Sequence, residues 1–468
     1  MRNLRLLTPK LLQPATGHPR GVTAMFWLAV VAILLQSFLG YVVFDAVGID
    51  PEYIKLHPAT VLVIVCGIWV LVQGTPFHQR CREAPALVLF IVLIPIIAVY
   101  GAISTGVSGA AIYPETYWSA GLLVLMLEPA SPKQKRLLAK ILIAICLVNA
   151  FVALYESVTV TAWFPAVFDK DNLDKLRNTD VDFRANAFFN HALAGSLVTT
   201  MAIFLLYTMR MHFIFAASIF GILLLGLLAY GGRTALGVTL ILTALMAFYS
   251  LMSGIIRRDL KVGFVLAVLA GAIVIPILLT VIVTQTSIAE RIINTLYFDD
   301  SAEARTIQLK IFQHLTLPDW LFGMSRDRFA VLKLQIGLGG KTTDIENFWF
   351  LMLLNLGVIG FAVWSAVFLG FLYYLGRISR SMNGWLLVIA ALIIDSGANS
   401  LGVKTNDLFL EAAFVIAMSG YAGYVRTPRL TMPHVWDRLK PAGRLKSALG
   451  DVSAARIRGL QVMASRSS

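Results

Sequence analysis

Long apolar runs separated by short polar segments organise the chain. Runs long enough to cross a bilayer, allowing for tilt and ragged ends, fall near 24–44, 59–73, 86–103, 117–127, 137–160, 187–208, 212–229, 234–252, 262–284, 347–376, 384–395 and 408–425. They are continuously apolar rather than alternating, which predicts helices and not the strands of a barrel. The pattern predicts an all-α polytopic integral membrane protein of about 12 transmembrane helices, of which 117–127 and 384–395 are the shortest. The first run is too long for a signal-peptide core and no small-residue cleavage site follows it, so it reads as a helix that stays. Three regions result: a basic segment 1–23, a membrane domain 24–425, and a basic tail 426–468.

The polar segments alternate in charge. With the N-terminus inside, the inner loops hold Arg80 and Arg82, then Lys133, Lys135, Arg136 and Lys140, then Arg210, then Arg257, Arg258 and Lys261, then Arg377 and Arg380. The outer loops hold Asp45, Asp50 and Glu52, then Glu115, then an acidic stretch from Asp169 to Asp182. One miscounted span would reverse every later loop, so the agreement supports the count and the orientation together, with both termini cytoplasmic.

Composition sharpens this. The chain has 468 residues, 58% of them hydrophobic and only 14% charged, against roughly 25% charged in a soluble domain. So much apolar surface has no place in one water-soluble core. Of the net charge of +13, residues 1–20 carry +4 and residues 426–468 carry +7. Those charges flank apolar spans, which the positive-inside rule explains and nucleic-acid binding does not. Cys66, Cys81 and Cys146 imply no disulfide framework. The seven histidines have no ligand spacing, and neither a metal nor another cofactor is expected.

Two outer segments are long, 161–186 and 285–346. In the second, Asp300 and Glu303 form a D-x-x-E capping signal. Ile307, Ile311 and Leu315 then recur at helical spacing up to Pro318, which predicts an amphipathic helix broken at that proline. Such a segment lies along a membrane surface or caps a cavity.

Three arginines stand where spans meet the outer side: Arg184 in DFRANAFFNHALAG, Arg233 in AYGGRTALG and Arg305 in SAEARTIQLK. An arginine at a helix end ordinarily snorkels to a lipid phosphate or pairs with an acid. Three on the disfavoured side point instead to a shared anion, and a pyrophosphate head group needs several forked donors. Glu346 and Asn347 stand at the mouth of the tenth span. Glu346 reads either as a general base or as a solvated acid at a helix N-terminus. His191 reads as a site-lining group or as a structural histidine, and Lys341, Arg326 and Arg328 as surface charges or as contacts to a sugar or phosphate.

Four patches, DFRANAFFNHALAGSL, GGRTALG, ARTIQLKIFQHLTLPDWLFGMSRDRF and IENFWFLMLLNLGVIGF, in this order around a large outer loop, resemble the O-antigen ligase and polysaccharide polymerase superfamily of membrane glycosyltransferases. They span about 184–361, and the N-terminal spans match in hydropathy alone. The resemblance implies a C-type glycosyltransferase fold in a bacterial inner membrane, with the active site facing the periplasm. It implies a polyprenyl-pyrophosphate-linked glycan donor, a glycan acceptor hydroxyl and metal-independent transfer. Arg233 and Arg305 would act catalytically with Glu346, and Arg184, His191, Asn347 and Lys341 would bind substrate. The related ligases carry a histidine where this chain has Glu346, which favours a polymerase of exopolysaccharide or O-antigen repeat units over a ligase to lipid A core. Membrane lipid and other polysaccharide-export proteins are the further expected partners. A flippase of lipid-linked oligosaccharide and a noncatalytic assembly subunit remain the alternatives. The flippase is disfavoured because the spans carry few interior charges, with Asp395 the exception.

Overall fold

A computed structural model describes residues 19–40, 56–73, 77–163, 184–189, 191–209, 211–257, 307–336, 347–398 and 407–422. All regular structure among them is helical. The elements are α1 (Pro19–Phe38), α2 (Pro58–Gln73), α3 (Phe77–Glu83), α4 (Pro85–Ala110), a π-helical segment Tyr113–Trp118, α5 (Ser119–Leu127), α6 (Pro132–Thr159), α7 (Ala192–Thr208), α8 (Phe213–Tyr230) and α9 (Arg233–Arg257). After a 3-10 turn at Leu309–His314 come α10 (Leu317–Phe322), α11 (Arg326–Gln335), α12 (Phe348–Ser379), α13 (Met382–Ala398) and α14 (Asp407–Ser419). Six stretches among the described residues are long and apolar enough to cross a membrane: Gly21–Phe38, Pro85–Ile103, Pro132–Thr159, Phe213–Tyr230, Arg233–Ile256 and Phe348–Ser379. Shorter apolar helices at Pro58–Gln73, Ala192–Thr208 and Met382–Ser396 pack among them. The predicted run at 262–284, the segment 1–18 and the tail beyond 422 lie outside the described residues.

The helices sort by how they meet their surroundings. On α2, Val65, Trp69 and Val72 form an exposed stripe at i, i+4, i+7, and on α4 Val92, Ile96, Val99 and Ile103 form another. An outward apolar stripe is what lipid contact requires and what water forbids. By contrast every residue of α5 is buried, and so is all of α14 except Ser419. A helix apolar all round belongs inside a bundle. Small residues let backbones close up there: a Cβ on Gly226 of α8 would stand 2.7 Å from the Cβ of Ala150 on α6. Aromatic rings fill the wider gaps, with Trp364 stacked on Phe368 at 5.1 Å and Tyr117 edge-on to Trp364 at 5.8 Å.

Local sequence fixes several helix ends. Ser131 caps α6 in a capping box with Gln134, and Pro132 occupies the first turn, where its missing N–H costs nothing. The expected break ahead of Pro318 is present: Leu315 and Thr316 are extended. Thr316 caps α10 in a box with Asp319, and Pro318 sits in the first turn of that helix. Upstream, the expected amphipathic α-helix is a 3-10 turn. The Asp300–Glu303 signal lies outside the described residues. The tenth predicted span is one run in sequence but not one helix. Gly357 (φ 62°, ψ 175°) interrupts α12 in a conformation that glycine alone adopts readily.

Contacts distinguish two ends of the bundle. At one, Tyr374 donates to Glu128 at 2.9 Å, Arg80 donates to the Val70 carbonyl at 3.2 Å, and Gly420 abuts Lys135. Burial pushes the Glu128 carboxyl above the ordinary range, and the Tyr374 hydroxyl with the Lys135 and Arg80 charges partly offsets this. Arg80 and Lys135, expected as loop charges, are buried in this cluster. At the other end Phe38 meets Phe188 edge-on, Leu39 accepts from His57, and Trp349 donates to Ser396 at 2.9 Å.

Candidate functional site

At the second end, the close of α6 and the loop before α7 fold around a carboxylate. Glu156 is fully buried. Its Oε2 accepts the backbone N–H groups of Asn186 and Ala187, both at 2.9 Å, and its Oε1 accepts that of Trp163 at 2.7 Å. Asn149, two turns earlier on α6, accepts the N–H of Phe188 at 3.3 Å. Ala187 is held at φ 49°, a left-handed conformation uncommon for a residue with a Cβ. The loop is therefore built by side chains reaching up from α6, with no regular structure of its own. Glu156 and Asn149 lie inside an apolar run. Their signal in the sequence was only that polar residues so placed need partners.

The same loop is tied to the turn that carries the second arginine. Ala185 N–H donates to the Ala229 carbonyl at 3.4 Å, and Ser157 Oγ to the same oxygen at 3.4 Å. Gly231 ends α8 with φ 68°, a left-handed cap. Gly232 then presses on Ser196 of α7 with no room for a side chain. Arg184 and Arg233 thus flank two segments that hydrogen-bond to each other, and both side chains are exposed. Arg233 is also the first residue of α9.

His191 caps α7. Its Nδ1 accepts the N–H of Leu193 at 3.1 Å, so in the neutral ring the proton sits on Nε2. In this geometry the ring offers Nε2–H as a hydrogen-bond donor. Asn347 caps α12, its Oδ1 accepting from Trp349 at 3.0 Å and Phe350 at 3.2 Å. Arg328 is committed elsewhere. It grips Asp319 through Nε at 2.9 and 2.8 Å and through a guanidinium nitrogen at 2.7 Å, which fastens α11 to α10. Arg305, Lys341 and Glu346 lie outside the described residues, as does the side chain of Arg326.

The segment 307–336 docks at the break in α12. Met324 N–H donates to the Leu354 carbonyl at 2.8 Å. Tyr100 on α4 donates to the Phe322 carbonyl at 2.5 Å and to that of Leu356 at 3.3 Å. Phe312 stacks on Trp320 and meets Phe350 edge-on. Arg184, Arg233, His191, Asn347 and this segment therefore share one end of the bundle. Among the described residues no group of three His, Cys, Asp or Glu side chains is arranged to hold a metal ion. No protein-family model matches the chain, and no curated protein is similar enough to it to count as a relative.

The interior holds more acidic residues than the sequence suggested. Glu115, Glu156, Asp395, Asp407 and Glu411 are all at most 2% exposed. A scarcity of interior ionisable residues is thus not an argument against transport.

Proposed function

We propose that the chain is a membrane glycosyltransferase of the O-antigen ligase and polymerase type. It joins polyprenyl-pyrophosphate-linked repeat units at the periplasmic face of a bacterial inner membrane. The observation that carries this reading is the Arg184–Arg233 pairing of segments, two cationic forks on hydrogen-bonded backbone at one bundle end. Their order with the patches around Arg305 and Glu346 is that of the resemblance set out above. The alternation of the described helices between two ends supports about 12 spans with cytoplasmic termini, because basic residues gather at the Glu128 end.

In this mechanism the pyrophosphate leaves the anomeric carbon as negative charge grows on the bridging oxygen. Arg184, Arg233 and Arg305 stabilise that charge in a water-poor site, each good donor being worth about 3 kcal/mol. The His191 Nε2–H adds a neutral donor. Glu346 takes the acceptor proton as the glycosidic bond forms. Lys341 and the Asn347 amide orient the glycan. A glycan on one polyprenyl carrier passes to the acceptor hydroxyl of another, or to lipid A core if the enzyme is a ligase.

A flippase is the second reading, favoured by the buried carboxylates on α13 and α14. Reconstitution separates them. Purified protein given polyprenyl-pyrophosphate repeat units should yield a ladder of products. One transfer to a lipid A core acceptor would mean a ligase. Movement of donor between leaflets without turnover would mean a transporter and overturn the glycosyltransferase reading.

A further inference from the structure

Helices α10 and α11 carry apolar residues on two sides. Inward, Met324, Leu332 and Ile336 are buried against Ile311 and against Leu354 of α12. Outward, Leu317 is 71% exposed, Phe322 54%, Val331 51% and Leu334 64%. On α11 the two sets separate by helical spacing. Leu332 and Ile336 share one face at i, i+4, and Val331 and Leu334 share another at i, i+3. A helix that packs on protein and otherwise meets water needs only the inward set. Single exposed apolar residues are common on any protein surface. What distinguishes these four is where they stand.

The segment docks at the edge of the hydrocarbon. Beyond the break at Gly357, the stretch Val358–Ser379 of α12 is about 33 Å long at a rise of about 1.5 Å per residue. That matches the roughly 30 Å of hydrocarbon in a bilayer. The last turns of α12 lie at the Glu128 end, through Tyr374, so Gly357 stands at the opposite edge. Helix α4 gives the same level independently. Its apolar stretch ends at Ile103, and Tyr100 in the last turn of that stretch donates to the carbonyls of Phe322 and Leu356. Outward apolar residues of both spans border this spot: Val358 and Ile359 directly after the break, Val99 and Ile103 on α4. Gly357 abuts the backbone of Leu321, and α11 packs against α4. The outward residues of α10 and α11 therefore continue a lipid-facing surface. Tyr100, Trp320 and Trp349, each partly buried, gather at this level, as amphipathic aromatic residues do at a bilayer interface.

We propose that α10 and α11 are an interfacial anchor. They lie in the boundary between head groups and acyl chains, at the bundle end opposite Glu128, with Leu317, Phe322, Val331 and Leu334 against phospholipid chains. Asp327 heads the same face of α11 one turn before Val331, so that turn lies at head-group level and the turn of Val331 and Leu334 lies deeper. The segment is thus framework rather than a lid, held by the backbone of α12 on one side and by lipid on the other. The inference rests on the fold alone and holds for a glycosyltransferase and a flippase alike.

The test is spin-label depth measurement on the full chain in nanodiscs of phosphatidylethanolamine and phosphatidylglycerol. Cys66 and Cys146 are buried, so Cys81→Ser supplies the background. Labels at Leu317→Cys, Phe322→Cys, Val331→Cys and Leu334→Cys should relax faster with oxygen than with a water-soluble nickel chelate, as at Val65→Cys on the outward stripe of α2. The label at Asp327→Cys should read closer to water than that at Leu334→Cys. Any one of the four reading as water, or the reverse gradient along α11, overturns the anchor. Labels shielded from both reagents would show protein cover, from 285–306 or 337–346 of this chain or from a second copy, and overturn it equally. Wild-type protein decides the matter if a variant does not accumulate. A phospholipid with a diazirine in its acyl chain should mark peptides within 317–334 on illumination. Marking of α2 and α4 without marking of 317–334 overturns the proposal.

Discussion

Gly357 and Gly323 meet backbone to backbone. A Cβ on Gly323 would fall 2.9 Å from the Gly357 nitrogen and closer still to the Asn355 carbonyl. Both glycines are extended with positive φ, at 62° and 86°, a region open essentially to glycine alone. The break in α12 and the docking of the 307–336 segment are one feature seen from two sides. Gly357→Ala should cost about 1–3 kcal/mol in strain alone. It should release α10 and α11, read as faster proteolysis within 307–336. An unchanged cleavage pattern would show that the loop docks by other contacts.

Glu156→Ala removes the acceptor of three backbone N–H groups at once. The cost should be about 1–3 kcal/mol for each donor that water does not reach. The melting temperature in detergent should fall, and a cysteine introduced at Arg184 should become more mobile in a spin-label measurement. Loss of stability without loosening of 184–189 would place the effect elsewhere on α6.

The Asp319–Arg328 pair predicts a pH dependence confined to the loop. Burial alone would raise the Asp319 carboxyl, but hydrogen bonds from Arg328 and Thr316 outweigh it and hold it below its ordinary value. A carboxyl lowered on folding stabilises above the pH where the free acid ionises, and loses that effect as pH falls through the lowered value. Limited proteolysis of 307–336 should therefore speed up in acid and be flat from neutral upward. Asp319→Asn, at a cost of about 1 kcal/mol for a well-aligned pair near the surface, should flatten the acid limb.

Arg233→Ala should lower glycan transfer by about 10²–10³-fold, the effect of removing one preorganised donor, with abundance unchanged. Arg233→Lys should also be poor, because a point charge does not replace a fork. A fully active lysine variant would leave charge as the sole requirement and count against the pyrophosphate reading.

Glu346→Gln keeps size and removes the proton acceptor. Binding of the lipid-linked donor should survive while turnover falls about 10²–10⁴-fold. His191, whose Nδ1 is already an acceptor, should not substitute for it. If Glu346→Gln turns over normally, Glu346 is only a helix-end charge.

The helical class and the six long apolar helices were legible because continuous apolar runs announce themselves whatever packs around them. The break at Gly357 was not. In LNLGVIGF a glycine looks tolerable, and the partner that makes it necessary lies 34 residues earlier at Gly323. Pro318 was legible as a break, because a proline does not continue the helix before it. The helix that it opens was the part missed, although the Thr316–Asp319 pair that caps it was present in the sequence. The common end of Arg184 and Arg233 followed from counting loops, but the Ala185–Ala229 bond that joins their segments is a long-range contact no local pattern encodes. Glu156 and Glu411 sat in view within apolar runs. What the sequence withheld was which neighbours each would meet.

Twelve of the 13 described residues of helix α14 are buried in the bundle. It also carries two acids, each costing about 2.5–3.5 kcal/mol near the middle of a lone inserted helix. Released by itself into lipid, a segment with both acids is poorly placed to stay. The ribosome makes it only after the helices that enclose it, so biogenesis has an order. A cradle of earlier segments must assemble first, and α14 passes from the translocon into protein rather than into fat.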